Sequence, residues 1–365
     1  MSKKAERESV MKYALIGCGR VSPNHINAAQ KNGLEIVALC DVVREKAENI
    51  KKTLSLSDNV EIYTDYKLLL EKQKPDFVSI ATVSGTHSEI AVYCAEHGVN
   101  FLVEKPMAMS MAEADEIIRA VEKNKVTAAV CHQNRFNIAV QELKNAIDEG
   151  RFGKISHGSV NIRWHRDEKY YSQDDWRGKW ATDGGTLMNQ CIHGMDLLRW
   201  LLGGEIDTVY GMTSNAFHPY IEAEDIGVAA VRFKNGVLAT VEGTVNAVED
   251  VEETLCIFGE NGTVRLAGTS ANAIDIWKFS DNRKDDEELR AFEEKTANVY
   301  GNGHTSMFLD VINSIKEKRK PYVDVYAGKN AVEFVLSVYK SQKTGEPVKL
   351  PLENFGSVDM TGEFE

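Results

Sequence analysis

A glycine turn near the start of the chain has the residue types and spacing that bind the phosphates of a dinucleotide. Residues 12–16 form a short apolar run that leads directly into the pattern G-x-G-x-x-S, from Gly17 to Ser22. Gly17 permits the tight turn, and Gly19 lets the main chain approach a pyrophosphate closely. Ser22 and Pro23 predict the N-cap and first turn of a helix whose free amides and positive dipole end would face the phosphate. On this pattern alone, an ordinary turn is the alternative.

An acidic residue follows at the distance expected of a ribose ligand. Asp41 ends the second apolar run, 22 residues after Gly19, and the ribose-binding acid is expected about 20 residues after such a turn. Because a carboxylate repels a 2′-phosphate, NAD is favoured over NADP as the cofactor. Arg44 and Lys46 leave NADP open, and a cap at the end of a strand is the other interpretation of Asp41.

These residues need a scaffold, and the first third of the chain predicts one. Short apolar runs at 13–16, 35–40, 76–82, 100–103 and 127–131 alternate with helical patterns at 42–54, 88–97 and 112–123. Ser110 and Glu113 fit a capping box at the start of the last of these helices. Strands that alternate with helices indicate βαβ units and a parallel sheet. We therefore predict a dinucleotide-binding Rossmann domain over residues 12–131.

The pattern changes in the second part of the chain. Strands are predicted at 157–164, 207–217, 227–233, 237–245, 254–258 and 273–279, with helices near 187–202, 306–318 and 328–343. Asn235-Gly236 and Asn261-Gly262 mark hairpin turns. We predict an α+β domain with a mostly antiparallel, open-faced sheet over residues 132–345, for substrate binding and oligomerisation, and a C-terminal tail over 346–365. The fold class is α/β overall.

Composition excludes several kinds of partner. The net charge of −12 argues against nucleic acid and anionic membranes. No apolar run reaches the 18 or so residues of a membrane span, and the charged N-terminus does not resemble a signal peptide. The six cysteines form no C-x-x-C pair, so we expect reduced thiols and a cytoplasmic protein. Without an H-E-x-x-H motif or a ligand-spaced cysteine pair, no metal site is expected.

Further motifs resemble those of one oxidoreductase family. Glu104-Lys105-Pro106 follows a strand of the first domain, after the stretch 81–87, and the stretch from Gly184 to His193 opens the helix near 187–202. Together with the glycine turn, these stretches resemble the glucose–fructose oxidoreductase, inositol dehydrogenase and MocA (GFO/IDH/MocA) family over nearly the whole chain. The resemblance implies an NAD-dependent sugar dehydrogenase and a homo-oligomer, dimeric or tetrameric, formed through the open sheet.

The resemblance also assigns roles. Hydride transfer from an alcohol needs a base for the hydroxyl proton and a positive group beside the developing alkoxide. His193 suits the base, and Lys105 suits the alkoxide or the relay of the proton. Asn189, His193 and Asp196 share one helix face, and Asp196 is expected to be a structural partner. For His193 the alternative is a core histidine, and for Lys105 a solvated turn residue.

The remaining site residues are carried over from the family or inferred from charge. The substrate-binding set consists of Lys105, Arg163, Asn189 and His193, with Arg163 expected on a sugar carboxylate because arginine binds carboxylates bidentately. A salt-bridged surface loop is the alternative for Arg163 and its charged neighbours. The cofactor-binding set is Gly17, Gly19, Arg20, Val21, Asp41, Thr82, Ser84, His87, Glu104 and Gln133.

Three stretches narrow the resemblance within the family. Residues 133–137, 163–171 and 176–180 are similar to a subgroup that oxidises the C3 hydroxyl of UDP-N-acetylglucosaminuronate during synthesis of bacterial surface polysaccharides. Many family members carry Asp four residues before the helical histidine, whereas this chain has Asn189, as that subgroup does. The alternatives are a dehydrogenase of free sugars or polyols such as inositol, and a non-catalytic regulator that senses the dinucleotide.

Overall fold

The computed structural model describes residues 10–295 and 300–364, which form two β-sheets. The N-terminal residues 1–9, which carry most of the stretch judged not to be a signal peptide, lie outside the described part.

The strands are β1 (Lys12–Ile16), β2 (Glu35–Cys40), β3 (Glu61–Tyr63), β4 (Phe77–Ile80), β5 (Asn100–Val103), β6 (Ala128–Val130), β7 (Ile155–Arg163), β8 (Ile206–Ser214), β9 (Ile226–Phe233), β10 (Leu238–Thr244), β11 (Glu252–Gly259), β12 (Gly262–Ala267), β13 (Ala273–Phe279) and β14 (Val348–Lys349). The helices are α1 (Ser22–Lys31), α2 (Arg44–Thr53), α3 (Tyr66–Gln73), α4 (His87–Glu96), α5 (Met111–Asn124), α6 (Ile138–Asp148), α7 (Glu168–Tyr171), α8 (Ile192–Leu201), α9 (Asp286–Leu289), α10 (His304–Glu317) and α11 (Val325–Thr344). No helix of the described ranges is long and apolar enough to cross a bilayer.

The first sheet confirms the predicted Rossmann fold. Its six strands lie in the order β3-β2-β1-β4-β5-β6, and every neighbouring pair is parallel. Helices cover both faces, so β1, β4 and β5 are buried along nearly their whole length, which explains their unbroken apolar runs. The unpredicted β3 and α3 complete the edge of the sheet. All these strands place their carboxyl ends at one edge, where ligands of such sheets bind.

The second sheet confirms the predicted, mostly antiparallel architecture. Its order is β13-β12-β11-β7-β10-β9-β8-β14, and only the β7–β10 pair is parallel. Both predicted hairpins are present, joining β9 to β10 and β11 to β12. Helices α8 and α11 pack on one face. The opposite face carries exposed apolar side chains from three neighbouring strands: Tyr210, Met212, Val228 and Leu238.

The chain does not divide into the two domains as cleanly as the sequence predicted. Helix α10 falls within the predicted second domain, yet it packs on the first: the ring of Phe308 lies 5.5 Å from that of Phe77. The described part of the predicted tail, residues 346–364, is not separate from the second domain. It contributes β14 to the second sheet, and Ser357 Oγ donates a hydrogen bond to the Trp180 carbonyl at 2.6 Å. Buried side chains anchor this segment, because Leu352, Phe355 and Met360 are nearly inaccessible to solvent.

Candidate active site

A cavity of about 420 Å³ opens at the carboxyl edge of the parallel sheet and is bounded on its other side by the second domain. The strand ends supply one wall, and segment 170–177 together with Asn189 supplies the other. The sequence-predicted residues that line it are Gly17, Gly19, Arg20, Val21, Asp41, Thr82, Ser84, His87, Glu104, Lys105 and Asn189.

The glycine turn has the shape that a dinucleotide phosphate requires. Gly17 adopts φ +96°, and a Cβ there would lie 2.3 Å from the Ala81 carbonyl oxygen, so no other residue fits. A Cβ on Gly19 would meet no protein atom within 4 Å, which leaves space for a ligand against the main chain. Helix α1 begins at Ser22 and not after it: Val21 is the N-cap, and Ser22 Oγ donates to the Gly19 carbonyl at 2.6 Å. Ser22, predicted as the N-cap, is therefore the first residue of the helix, and its side chain stabilises the glycine turn.

Asp41 caps the end of its strand and lies at the wall of the cavity. Its carboxylate accepts hydrogen bonds from the main-chain N–H groups of Cys18, at 2.8 Å, and Val43, at 2.9 Å. It also lines the cavity. The same side chain thus fixes the glycine turn, and its role as a ribose ligand stays a prediction.

Two other residues of the cofactor-binding set also brace the cavity walls. The His87 ring lies between main-chain oxygens, with Nδ1 2.7 Å from the Pro106 carbonyl and Nε2 3.1 Å from that of Thr82. Gln133 Nε2 contacts the Asn134 side chain at 3.2 Å. Gln133 lines a smaller inner cavity and not the main one.

Lys105 lies where the two domains meet. It follows β5, and its peptide bond to Pro106 is cis. Its Nζ donates to the Asn189 carbonyl at 2.8 Å and to Asn189 Oδ1 at 3.3 Å. Burial lowers the pKa of the Lys105 ammonium below its usual range, and the charges of Glu104 and Asp183 offset part of this shift. A lysine in this setting can hold a developing alkoxide and exchange a proton more readily than a solvated one.

Side chains of the types that bind metals meet in one buried cluster beneath the cavity. The candidate ligand atoms of His25, Glu104, Cys131 and His304 lie within 4.8 Å of one another. Hydrogen bonds already account for two of them, because His25 Nε2 donates to Glu104 at 2.8 Å while Nδ1 contacts Ser79 Oγ at 3.0 Å. Burial is the largest influence and raises the pKa of Glu104, but the hydrogen bond and charge of His25, with the charges of His304 and Lys105, together outweigh it, and the net shift is downward. The absence of a metal from the reaction stays a prediction, which metal analysis of the purified protein would test.

The helix that carries Asn189 and His193 differs from the regular one predicted. Residues Leu187–Cys191 form a π-helical turn, and α8 follows from Ile192. Such turns concentrate at functional sites. His193 lines the inner cavity, of about 70 Å³, which shares Lys105 and Asn189 with the larger one. Asp196 lines neither cavity and binds Arg135 through two hydrogen bonds, of 2.6 and 2.7 Å, as expected of a structural partner.

The imidazole of His193 is neutral in this environment. Burial, and after it the charge of Lys105, lowers the pKa of His193 well below its ordinary value. Its Nδ1 is buried with no hydrogen-bond partner among the described residues. A neutral imidazole that lines a cavity beside an ammonium group can accept a proton from a bound hydroxyl.

A group of arginines, here called the arginine cluster, surrounds one aromatic ring at the junction of the two cavities. The guanidinium carbons of Arg20, Arg166 and Arg177 lie 5.5, 5.2 and 4.5 Å from the centre of the Tyr170 ring. Arg177 also donates to the Tyr170 hydroxyl at 2.8 Å. Asp174 and Asp250 neutralise part of this charge. The cluster gives an acidic protein a local surplus of cationic donors.

Arg163 does not belong to this site. It ends β7 on the open face of the second sheet, where its guanidinium forms ion pairs with Glu242 at 2.6 Å and Glu252 at 2.5 Å. Side chains alternate between the two faces of a strand, and the neighbouring Ile162 is the one that faces α8. Arg163 was assigned to the substrate from its type alone; Arg166, three residues later, lines the inner cavity instead.

Sequence reasoning missed several residues that the structure places around the site. The buried carboxylate of Asp183 contacts Asn189, and His25 holds Glu104. Asn134, Trp164 and Tyr300 line the inner cavity. Asp183 carried a local signal, since it directly precedes Gly184 and Gly185, whose φ values of +86° and +105° mark a forced turn. Asn134 and Trp164 lie within two of the stretches that narrowed the family resemblance.

Comparisons with known proteins agree with this geometry. Residues 11–132 match the family model described as "Oxidoreductase family, NAD-binding Rossmann fold". Residues 140–265 match the model of the GFO/IDH/MocA C-terminal domain. Together the two models account for more than half of the chain.

Two solved structures and one curated relative are similar over almost the whole length. The WlbA dehydrogenase of Bordetella pertussis, in complex with NADH and UDP-GlcNAcA, is 35% identical over 95% of this chain and 99% of its own, with a TM-score of 0.89. The WlbA dehydrogenase of Chromobacterium violaceum, with the same ligands, is 32% identical over 95% of this chain and 98% of its own, with a TM-score of 0.86. Myo-inositol 2-dehydrogenase of Thermotoga maritima is 25% identical over 93% of this chain and 98% of its own. The chain therefore belongs to the GFO/IDH/MocA family of oxidoreductases, with an N-terminal NAD-binding Rossmann domain.

Proposed function

We propose that this oxidoreductase uses NAD to oxidise the C3 hydroxyl of UDP-N-acetylglucosaminuronate or a closely similar nucleotide-sugar acid. The observation that carries the proposal is the arginine cluster beside Lys105 and His193. A substrate with a diphosphate and a carboxylate presents several anionic groups, whereas a free polyol presents none. Arginine is the side chain best suited to such groups, because its planar fork pairs with two oxygens at once.

The charge balance of the chain supports this choice of substrate. The protein carries a net charge of −12, so its general field repels anions. Three guanidinium groups at the junction of the two cavities offset that field locally. Tyr170, already flanked by these cations, offers an aromatic surface beside the sugar or the uracil ring. We assign Arg166 to the substrate carboxylate in place of Arg163, since Arg166 shares the inner cavity with His193.

The reaction follows from the groups around the inner cavity. Bound NAD would supply the hydride acceptor at the carboxyl edge of the parallel sheet. His193, held neutral by burial, takes the proton of the substrate hydroxyl. The Lys105 ammonium faces the oxygen on which negative charge develops and stabilises it. Asn189 holds Lys105 through two of its oxygen atoms and fixes the ammonium at the cavity wall.

The similar structures support the identity of the substrate. Both WlbA dehydrogenases were solved with NADH and UDP-GlcNAcA, and they resemble this chain in sequence more closely than the inositol dehydrogenase does. Asn189, four residues before His193, is consistent with the same subgroup. The substrate class therefore rests on the arginine cluster and on these two relatives together.

A dehydrogenase of free polyols is the second candidate. It is favoured by the similarity to a myo-inositol 2-dehydrogenase over 93% of this chain. Lys105 and His193 would serve that reaction equally well. A non-catalytic regulator is no longer retained, because the family is one of oxidoreductases and this chain keeps both of these side chains in one cavity.

The test is the absorbance of NADH at saturating NAD with each of three substrates: UDP-N-acetylglucosaminuronate, UDP-N-acetylglucosamine and myo-inositol. We expect reduction with the first and a much weaker response with the second, which lacks the carboxylate. Reduction with inositol alone would replace the proposal by its alternative. No reduction with any of the three, in a protein that binds NADH, would reject both.

A further inference from the structure

One buried carboxylate beside the site has no place in the reaction described above. Asp183 is 1% exposed and lies on the loop that leads into the π-helical turn. One of its oxygens accepts a hydrogen bond from the Gly178 main-chain N–H at 2.7 Å. The other accepts from Asn189 Nδ2 through a short contact. Burial of an acidic side chain costs free energy unless hydrogen bonds and opposite charges compensate it.

The contact with Asn189 fixes which end of that amide faces Lys105. An amide side chain has a donor end and an acceptor end of nearly the same shape, so only its partners decide its orientation. Because an ionised carboxylate can only accept, Asn189 Nδ2 must face Asp183. Asn189 Oδ1 is then turned toward Lys105 Nζ, 3.3 Å away. In the opposite orientation, an amide N–H would face the ammonium group.

We propose that Asp183 is a positioning residue for the oxidation: it orients Asn189 and, through that amide, holds the Lys105 ammonium against the reacting hydroxyl. The inference rests on the proposed function for the identity of the reaction. The hydrogen bonds that link Asp183, Asn189 and Lys105 do not depend on that function. Asp183 does not line either cavity around the site, so it acts through Asn189 and not on the substrate.

Burial alone would favour the protonated acid, and it is the largest influence on the pKa of Asp183, which is raised. The hydrogen bonds from Gly178 and Asn189 oppose burial, as do the charges of Arg177 and Lys105. The geometry decides in favour of the ionised form. The Lys105 ammonium can only donate, so Asn189 Oδ1 faces it and Asn189 Nδ2 faces Asp183. The Gly178 N–H donates to the other carboxyl oxygen, so an Asp183 O–H would have no acceptor. Asp183 therefore supplies a negative charge to the cluster of cations around it.

Lys105 responds to all the titratable groups packed around it. Asp183 and Glu104 raise its pKa, Cys131 acts in the same direction, and Arg177 lowers it. The nearby imidazoles have lowered pKa values and are neutral: His87, His132 and His193. Removal of the Asp183 charge leaves Glu104 as the main acidic neighbour, so the pKa of Lys105 falls.

The experiment exchanges the two side chains. Asp183→Asn removes the charge and turns one N–H donor toward either the Asn189 or the Gly178 donor. The double variant Asp183→Asn/Asn189→Asp restores one donor, one acceptor and one negative charge at the contact between positions 183 and 189. We expect kcat to fall about 10- to 100-fold in the single variant, the effect of losing a charged hydrogen bond, with KM for UDP-N-acetylglucosaminuronate and NADH binding nearly unchanged. We expect the double variant to recover most of the lost kcat.

A second measurement needs no substrate. The pH dependence of acetylation of Lys105 by acetic anhydride, followed by mass spectrometry of the full-length protein, gives the apparent pKa of Lys105. We expect this pKa to fall in Asp183→Asn and to return in the double variant. If Lys105 titrates alike in wild type and Asp183→Asn, the positioning role is overturned. If the pKa shifts as expected but wild type does not oxidise the nucleotide sugar, the positioning role stands and the proposed function fails.

A purely structural role gives a different result. If Asp183 only stabilises the loop at Gly178, the double variant will be as inactive as the single one and will melt at the same lowered temperature. Should Asp183→Asn fail to fold, the double variant decides alone, because near-normal turnover supports the proposal and inactivity in a folded protein overturns it.

Discussion

The two halves of the molecule contribute to the site in different ways. The Rossmann half provides positions at the ends of parallel strands, such as Gly17, Asp41 and Lys105, whose place is set by the repeating βαβ unit. The C-terminal half provides side chains from irregular segments: the loop before the π-helical turn and the segment that carries Tyr170. Under the proposed function, regular units hold the cofactor and Lys105, while irregular segments shape the pocket for the substrate. Variants of the two halves are expected to fail in different ways.

The largest expected effect comes from the two groups closest to the reaction. His193→Gln and Lys105→Met should each lower kcat about 10²- to 10⁴-fold, since each removes a proton acceptor or a stabilising charge. Steady-state kinetics with UDP-N-acetylglucosaminuronate measures the loss, and NADH fluorescence should show cofactor binding close to wild type. Retained turnover in the double variant would refute the assigned roles.

A smaller but specific effect should separate Arg166 from Arg163. Arg166→Gln removes a cation from the inner cavity and should raise KM for the nucleotide-sugar acid about 10- to 100-fold, the range for a hydrogen bond to a charged group. Arg163→Gln is the matched control: it lies on the open sheet face and should change KM less than about twofold. Equal effects of the two substitutions would contradict the placement of the carboxylate beside Arg166.

The glycine turn offers a matched pair within the Rossmann half. Gly19→Ala places a methyl group in space free of protein atoms, so it should fold normally yet weaken NADH binding by about tenfold or more. Gly17→Ala forces a Cβ against the Ala81 carbonyl at a positive φ, so it should lower the melting temperature as well. Thermal melting and NADH titration of both variants measure this difference. Tight NADH binding by Gly19→Ala would show that the pyrophosphate lies elsewhere.

The pH dependence should reflect the shifted groups. Because the pKa of His193 is far below its usual value, the base is unprotonated at neutral pH, and kcat/KM should fall only in solutions more acidic than pH 6.5. Because the pKa of Lys105 is lowered, its charge and the activity it supports should be lost on the alkaline side before pH 10.5. The same profile recorded for His193→Gln should lack the acidic limb. An acidic limb centred above pH 6.5 would assign it to another group.

The smallest effect on turnover is expected from the open face of the second sheet. We propose that a second copy of the chain covers the exposed Met212 and Val228, which pair with each other across β8 and β9. Size-exclusion chromatography should show a dimer or tetramer for wild type. Met212→Asp together with Val228→Asp should shift it toward the 40.7 kDa monomer. A monomeric wild type would contradict the predicted oligomer.

The sequence predicted the Rossmann half more completely than the other. Five of its six strands were located, and only the short β3 at the edge was missed, because its three residues are half-exposed and carry no apolar run. In the second half, β12 and β14 were missed although the Asn261-Gly262 turn required a partner strand. The two-residue β14 exists only because segment 346–365 folds back onto β8. Its residues do not determine a strand on their own.

The errors at the site have the same physical origin. Arg163 and Arg166 are nearly equivalent in sequence, and only the alternation of side chains at the end of β7 decides which one turns into the cavity. The sequence placed Asn189 and His193 on one regular helix, whereas the π-helical turn changes how Asn189 faces Lys105. That turn is braced by Glu224, which accepts hydrogen bonds from the Leu187 N–H and from Tyr339, residues far apart in the chain.

The sequence by itself determined the fold class and the dinucleotide turn, because both depend on residues within the repeating βαβ units. The tertiary structure decided how the substrate side of the site is built. Lys105 and Asn189 are 84 residues apart in the chain, and Asp183 reaches Lys105 only through Asn189. No local propensity encodes a hydrogen bond between two domains, because its geometry depends on how both sheets pack against each other.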